Sequence, residues 1–482
     1  VGESDPGVRN LTDLLAARAE QRPDVVAVRE PGAEPAELTW GEVDRRVTAT
    51  AAGLSASGLV AGQRVLTALP NSIRYVIDYL ACLRAGLVVV PIDPQSTPEE
   101  RSRLAERTGA RLVLAPDTDH DQDGAGTVLP PLDPAALAVL LRTAGTSAEA
   151  KIAMISHRSL VTPAAQLARL GLITADDTVL AALPLWHVYG LGVIVGGWLA
   201  SGCRLIIADP AADPAELIET EQVSVLPTVP AMLERLLRRP DLARRLSGLR
   251  MVLSAAAPLS DELAGRFAAA AGHRVESGYG LTEAAGGVTT TLDPTGTERP
   301  HHGFGHVGRP MPGIEVRIGD GSDPAEPDRI WIRAEQLFTG YWPDGAGGPD
   351  HDGWYDTGDL GYQTDGELYL VERSRELIMV DNFPVYPAEV EHLVLELDGV
   401  TEAAVIGDDS GMIAFVVAEP GIDADRIARH CADLLPRFKR PATIRLVDAL
   451  PRGVTGKIQK SELRRLLDQD RQLDHDRKEP RP

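Results

Sequence analysis

Residues 277–287 read SGYGLTEAAGG, and how that stretch is interpreted decides how the chain around it folds. Glycines on either side of Tyr279 let the backbone approach a flat ring closely. Thr282 offers a hydroxyl for a phosphate, and Glu283 a hard carboxylate oxygen for Mg2+. A strand running into a loop with a solvated glutamate accounts for the same residues, so the stretch alone leaves both readings open. Upstream, LRMVLSA, VSVLP, CRLIIAD, TVLAALP and ARLVLA read as short buried strands separated by alanine- and leucine-rich helices. RVLTAL and LVVVPID flank the helical stretch SIRYVIDYLACLRAG, and TWGE (Thr39 to Glu42) fits a capping box opening a helix through Val43, Val47 and Leu54. This rhythm predicts an α/β fold of layered, largely parallel sheets.

Downstream of about residue 300 the pattern turns to short strands with turns, as in GIEVRIGDG, DRIWIRA and GELYLVE. The last hundred or so residues read as a compact α+β unit. The expected organisation is a large N-terminal domain over 1–372 with a β-rich subdomain. The boundary is expected at VERSRE, a charged stretch after a strand, near 373–376, with a small α+β domain over 377–482 beyond it. His301, His302 and His306 fall in a Gly/Pro-rich stretch and read as loop rather than metal ligands.

The chain has 482 residues, enough for two or more domains. Its net charge of -22, from 48 basic and 70 acidic residues, repels a nucleic-acid backbone. No run of about 18 apolar residues is present to span a membrane. The opening VGESDPGVRN lacks the pattern of a secretory signal. Three scattered cysteines, Cys82, Cys203 and Cys431, fit no disulfide framework, so the expected location is the reducing cytoplasm. Lysine occurs only five times, at 151, 439, 457, 460 and 478. A chain that otherwise uses arginine keeps lysine where a compact ammonium is needed.

Three further motifs carry chemistry. LLRTAGTSAEAKIAMISH (140–157) follows an apolar strand, and its small hydroxylated residues, closed by Lys151, can cradle phosphates; an ordinary surface loop has the same composition. It is not a Walker loop, because no GK[ST] ends it. WYDTGDLG (354–361) sets Asp359 in a glycine turn where a carboxylate can hold two ribose hydroxyls, or merely an Asx turn. LPRGVTGKIQK (450–460) exposes Lys457 after a glycine, as many solvated lysines are.

Taken together and in this order, YGLTE, YDTGDL, the arginine in VERSRE and PRGVTGK resemble the adenylate-forming superfamily of acyl- and aryl-CoA synthetases, carrier-protein adenylation domains and luciferases. The resemblance runs from about Leu11 to Leu466 and is closest in style to the acyl/aryl-CoA ligases. It implies that ATP and Mg2+ convert a small-molecule acid to an acyl-adenylate, which is then passed to a thiol. That thiol belongs to CoA or to phosphopantetheine on a carrier protein. It implies that Thr143, Thr146, Ser147 and Lys151 surround the β- and γ-phosphates. Ala256, Ala257, Ser277, Gly278, Tyr279 and Gly280 would border adenine, Tyr279 stacking on it. Thr282 would take the α-phosphate and Glu283 the metal. Asp359 and Arg373 would hold the ribose, Arg375 would be the hinge residue, and Lys457 would bridge the substrate carboxylate and α-phosphate.

LPLWHVYGLG (183–192) resembles the family segment that ends beside the acid pocket, so His187 is expected to line it. An aspartate there would pair an amino-acid ammonium; a histidine does not. Small residues at Ala255, Gly278, Ala284, Ala285, Gly286 and Gly287 leave room for an aryl or medium acyl group, and FKRP (438–441) resembles a basic segment common in CoA ligases. The chain departs from the family pattern at Ala148, Ala150 and Ile152, where glycines and a proline are usual, and at Asn382, where glycine borders the pantetheine tunnel. These departures keep two alternatives open. One is an adenylating enzyme with an unusual second step, either amide formation or nitrite activation to diazotise an aryl amine. The other is a non-catalytic nucleotide-binding homologue.

Overall fold

The structure is a computed structural model that describes residues 8, 10–118, 133–143, 150–209, 212–293, 305–319, 327–373, 376, 378–380, 383–408, 411–453 and 456–467. Thr146, Ser147, Ala148, His301, His302, Arg375 and Asn382 lie outside the described residues, and Arg373 is described in its backbone only.

The capping box forms as expected. Thr39 Oγ1 accepts from the Glu42 amide at 3.3 Å while a Glu42 carboxylate oxygen accepts from the Thr39 amide at 2.8 Å, opening the helix Trp40–Ala56. That helix turns Val43, Val47 and Leu54 into the main core, and Trp40 stacks on Trp198 with ring centres 4.7 Å apart.

The largest sheet has 13 strands, and its centre is a parallel block. In spatial order the block is Val275–Leu281, Met251–Ser254, Val225–Thr228, Thr178–Ala181, Arg204–Ile207 and Val26–Glu30. Beyond Val275–Leu281 the pairing turns antiparallel through Gly286–Thr290 and His306–Pro310. The β-rich region after residue 300 is therefore joined edge to edge with the central sheet. A second sheet of five strands runs parallel through Ala110–Leu114, Arg64–Thr67, Val88–Pro91 and Leu137–Arg142, with Ile152–Ser156 antiparallel at its edge. The helix Ile73–Arg84, capped by Ser72, buries ten of its residues, as expected of an apolar helix enclosed in a core. The C-terminal strands Val400–Asp408, Gly411–Ala418 and Thr443–Leu446 form a separate small sheet, with Val390, Val394, Val405, Val416 and Ile427 in a core of their own. Among the described residues no helix is long and apolar enough to cross a membrane.

Asn71 ties the ends of several central strands together. Its amide donates to the carbonyls of Leu183 at 2.8 Å and Ala208 at 3.2 Å, and its oxygen accepts from Leu185 N–H at 2.9 Å. Asn71→Ala leaves these buried groups unpaired, so unfolding by denaturant is expected to show a loss of about 3 kcal/mol. A loss below about 0.5 kcal/mol would mean that solvent replaces the amide.

His306 does not sit in a loop. It opens the strand His306–Pro310, is buried, and its Nε2 pairs with Glu367 at 2.9 Å, while Arg309 bonds the other Glu367 oxygen at 2.7 Å. The Gly/Pro content misled because Gly305 and Gly308, both at positive φ, bring this chain within reach of neighbouring strands.

His157, at the start of the helix His157–Leu170, is pushed down to about 4 by burial. An unfolded histidine titrates near ~6.5, so between those values the native state binds fewer protons than the unfolded one. The neutral ring's contribution is thus complete above the unfolded value and lost as pH falls toward the folded one, amounting to about 3 kcal/mol. His187 is lowered to about 4 by the same cause. His157→Phe is therefore expected to flatten part, not all, of the decline in stability below neutral pH; an unchanged pH–stability curve would contradict the assignment.

Candidate active site

A cavity of about 370 Å³ opens where the central sheet changes from parallel to antiparallel pairing, at the carboxyl ends of Met251–Ser254 and Val275–Leu281. The crossing is tight. A Cβ on Gly280 would stand 2.2 Å from the Gly286 carbonyl oxygen, so only glycine lets the two strands meet there. Ala256 lines the cavity at φ 68°, a left-handed conformation rare for alanine.

The structure brings Thr143, Lys151, His187, Ala256, Gly278, Tyr279, Gly280, Thr282, Glu283, Asp359 and Lys457 to this one cavity. Ala257 and Ser277 are not among its lining residues; the Ser277 amide is bound instead to Thr291 Oγ1 at 2.8 Å. Of the small residues, Ala255, Gly278, Gly286 and Gly287 line it, whereas Ala284 and Ala285 are packed inside the core.

Asp359 belongs to the long strand Trp354–Thr364 rather than to a turn. The local kink comes from Gly358 at φ 72°, and the backbone of Asp359 pairs with that of Arg373 across the sheet. The phenol of Tyr279 donates to Asp359 Oδ2 at 2.6 Å, so a buried carboxylate is oriented by the ring of the preceding motif. Glu283 accepts from the Tyr341 phenol at 2.7 Å, and the Tyr341 oxygen lies 3.0 Å from that of Tyr355. Lys151 stands 4.4 Å from the centre of the Tyr341 ring. Tyr341 and Tyr355 were not anticipated. Their contribution depends on segments about 60 and 70 residues downstream of Glu283 folding back over it.

Lys457 lines the cavity, and its carbonyl accepts from Gly453 N–H at 2.8 Å. Gly456, at φ 77°, rests against the helix Pro230–Leu237: a Cβ there would fall 2.8 Å from that of Ala231. His187 precedes a π-helical turn over Tyr189–Val195; its Nδ1 accepts from the Tyr189 amide at 3.3 Å, leaving the proton of the neutral ring on Nε2. The charged lining residues among those described are Lys151, Glu283, Asp356, Asp359 and Lys457. Leu167, Leu170, Leu172, Val193, Leu292 and Met311 supply apolar wall. In the FKRP segment Lys439 is held by both oxygens of Glu389 at 2.7 Å, and Arg440 bonds the Leu435 and Ala432 carbonyls.

The sequence matches the family described as AMP-binding enzyme over residues 15–130 and 115–342, and the AMP-binding enzyme C-terminal domain over 389–457. It is 33% identical to 4-coumarate–CoA ligase 5 of Oryza sativa subsp. japonica, across 95% of this chain and 94% of that protein. It is 31% identical to the feruloyl-CoA synthase of an Amycolatopsis species, across 93% and 97%. The crystal structure of ATP-bound MatB from Rhodopseudomonas palustris superposes with a TM-score of 0.84 at 29% identity, covering 95% of this chain and 99% of that one. Matches of this length and identity, on a fold whose motifs converge on one cavity, are decisive: the chain belongs to the AMP-binding enzyme family and is an adenylate-forming ligase of the acid–thiol type.

Proposed function

We propose that the acid is aryl or medium acyl with an uncharged tail, and that the thiol acceptor is CoA. The observation that carries the first part is the cavity wall. Among the described lining residues, Leu167, Leu170, Leu172, Val193, Leu292 and Met311 form a stretch of wall without a charge to pair a second carboxylate or an ammonium, and burial keeps the His187 ring neutral by pushing it down to about 4. The second part is supported by relatives whose names are those of CoA ligases. Phosphopantetheine on a carrier protein presents the same thiol and is the other acceptor.

In this reading ATP lies with its ribose on Asp359 and Arg373 and its adenine between Tyr279 and the backbone near Ala256, Gly278 and Gly280. Thr143, Thr146, Ser147 and Lys151 take the β- and γ-phosphates, and Thr282 the α-phosphate. Mg2+ suits Glu283: a single carboxylate combined with phosphate oxygens and water is its usual donor set, and among the described residues no group of three or more metal-ligating side chains forms a cage. Bound there, Mg2+ would neutralise triphosphate charge. A carboxylate oxygen of the acid attacks the α-phosphorus, the bond to pyrophosphate breaks, and Lys457 offsets the negative charge gathered between the two anions. Pyrophosphate departs. Residues 377–482 then turn about the hinge 373–376 at Arg375, withdrawing Lys457, and the thiolate attacks the acyl carbon, releasing AMP. Three buried, unpaired cysteines fit a cytoplasmic setting.

The test incubates the protein with ATP, Mg2+, CoA and benzoate, 4-coumarate, hexanoate or octanoate, against malonate and glycine, with mass-spectrometric detection of acyl-CoA and AMP. Acyl-CoA from the uncharged-tail acids alone is expected. Turnover of malonate or glycine in preference would overturn the substrate class. Product only with a carrier protein, or only with nitrite and an aryl amine, would overturn the acceptor.

A further inference from the structure

Lys151 and Glu283 carry opposite charges beside the same cavity, yet among the described residues they form no ion pair with each other; one side chain stands between them. Tyr341 offers its ring face to the Lys151 ammonium at 4.4 Å and its hydroxyl proton to Glu283 Oε1 at 2.7 Å. The ring is held by its backbone and by a neighbouring aromatic side chain. Its backbone bridges Ala153 in the strand that follows Lys151, with Trp342 N–H donating to the Ile152 carbonyl at 2.8 Å and Thr339 N–H to that of Met154 at 3.0 Å. Phe338, 1% exposed, meets both Tyr341 and Tyr355 edge-on at about 5 Å, and its amide donates to the Glu283 carbonyl at 2.8 Å. Because the Tyr341 proton goes to Glu283, the Tyr355 hydroxyl donates to the Tyr341 oxygen. Burial, with the Glu283 charge next, holds the Tyr355 phenol far above its usual range, so this donor stays protonated.

We infer that Tyr341 is a positioning residue for adenylate formation: its face holds the Lys151 ammonium ready for phosphate while its hydroxyl orients Glu283 for the cation, and the ring keeps the two charges from neutralising each other. The inference rests on the roles proposed above for Lys151 and Glu283. It assigns the two halves of one side chain to two separable effects. Without the hydroxyl, Glu283 swings freely and the gain in ATP affinity from Mg2+ declines. Without the ring, Lys151 loses its seat and the metal-free affinity declines as well.

The experiment is calorimetric titration of the full chain with ATP, with and without Mg2+, and with AMP. Tyr341→Phe is expected to cut the Mg2+-dependent gain in ATP affinity by about fivefold or more while leaving metal-free ATP binding within twofold. Tyr341→Leu is expected to weaken metal-free ATP binding by about fivefold in addition. AMP, which lacks the β- and γ-phosphates, should bind both variants as it binds the parent protein. Glu283→Gln and Lys151→Ala should reproduce the two effects singly. Full retention of the Mg2+ gain in Tyr341→Phe, with Glu283→Gln impaired, overturns the inference alone. An equal fall in AMP affinity overturns it in favour of simple packing. An unimpaired Glu283→Gln removes the proposed metal role and the inference with it.

Discussion

Lys457→Ala is expected to lower acid-dependent exchange of labelled pyrophosphate into ATP by about 10³-fold, while acyl-CoA formation from a pre-formed acyl-adenylate changes by less than about threefold. The asymmetry has a physical cause. In the proposed first half-reaction a carboxylate is driven onto a triphosphate, so two anions converge, and a lysine ammonium at the cavity would lower that barrier. In the second half-reaction a thiolate meets a neutral acyl carbon with AMP leaving, and in the proposed rotation Lys457 has gone. Next to the lysine, Gly456 packs against Ala231, a contact that the proposed rotation would break. If both half-reactions fall together, the lysine has a role common to both, and the rotation about 373–376 loses its support.

Asp359→Asn is expected to behave in the opposite way, slowing both half-reactions by about 10²-fold and weakening AMP as well as ATP. ATP, acyl-adenylate and AMP share the ribose that this carboxylate is proposed to hold. The substitution removes a charge and replaces an acceptor oxygen with an N–H2 group, in a position where Tyr279 already donates to Oδ2 at 2.6 Å. The ribose hydroxyls would then face a group that competes as donor. Titration with AMP checks this directly: unchanged AMP affinity would remove Asp359 from the ribose.

The parts of this site that depend on local chemistry could be read in the sequence. The Thr39–Glu42 capping box lies within four residues; the glycines around Tyr279 suggested room for a flat ring, and the structure shows that Gly280 also lets two strands cross at Gly286. Long-range pairings left no such trace. Tyr341 reaches Glu283 only because its segment pairs with the strand beside Lys151, and nothing in GYWPDG signals that partner. Asp359 looked like a turn residue because TGDLG is rich in turn formers, but its pairing with Arg373 in the neighbouring strand holds it in the sheet. His306 was misplaced for the same reason. Ala256 at positive φ is invisible in a string of three alanines. The edge-to-edge joining of the β-rich region to the parallel block was equally hidden, since strand order depends on contacts far apart in the chain.

The most direct test follows oxygen. Benzoate or hexanoate, whichever turns over, is supplied with both carboxylate oxygens as 18O, together with ATP, Mg2+ and CoA, and the AMP is examined by mass spectrometry. Attack of the acid on the α-phosphorus predicts one 18O atom in AMP for each acyl-CoA formed. Unlabelled AMP, or label in inorganic phosphate alongside ADP, would contradict it.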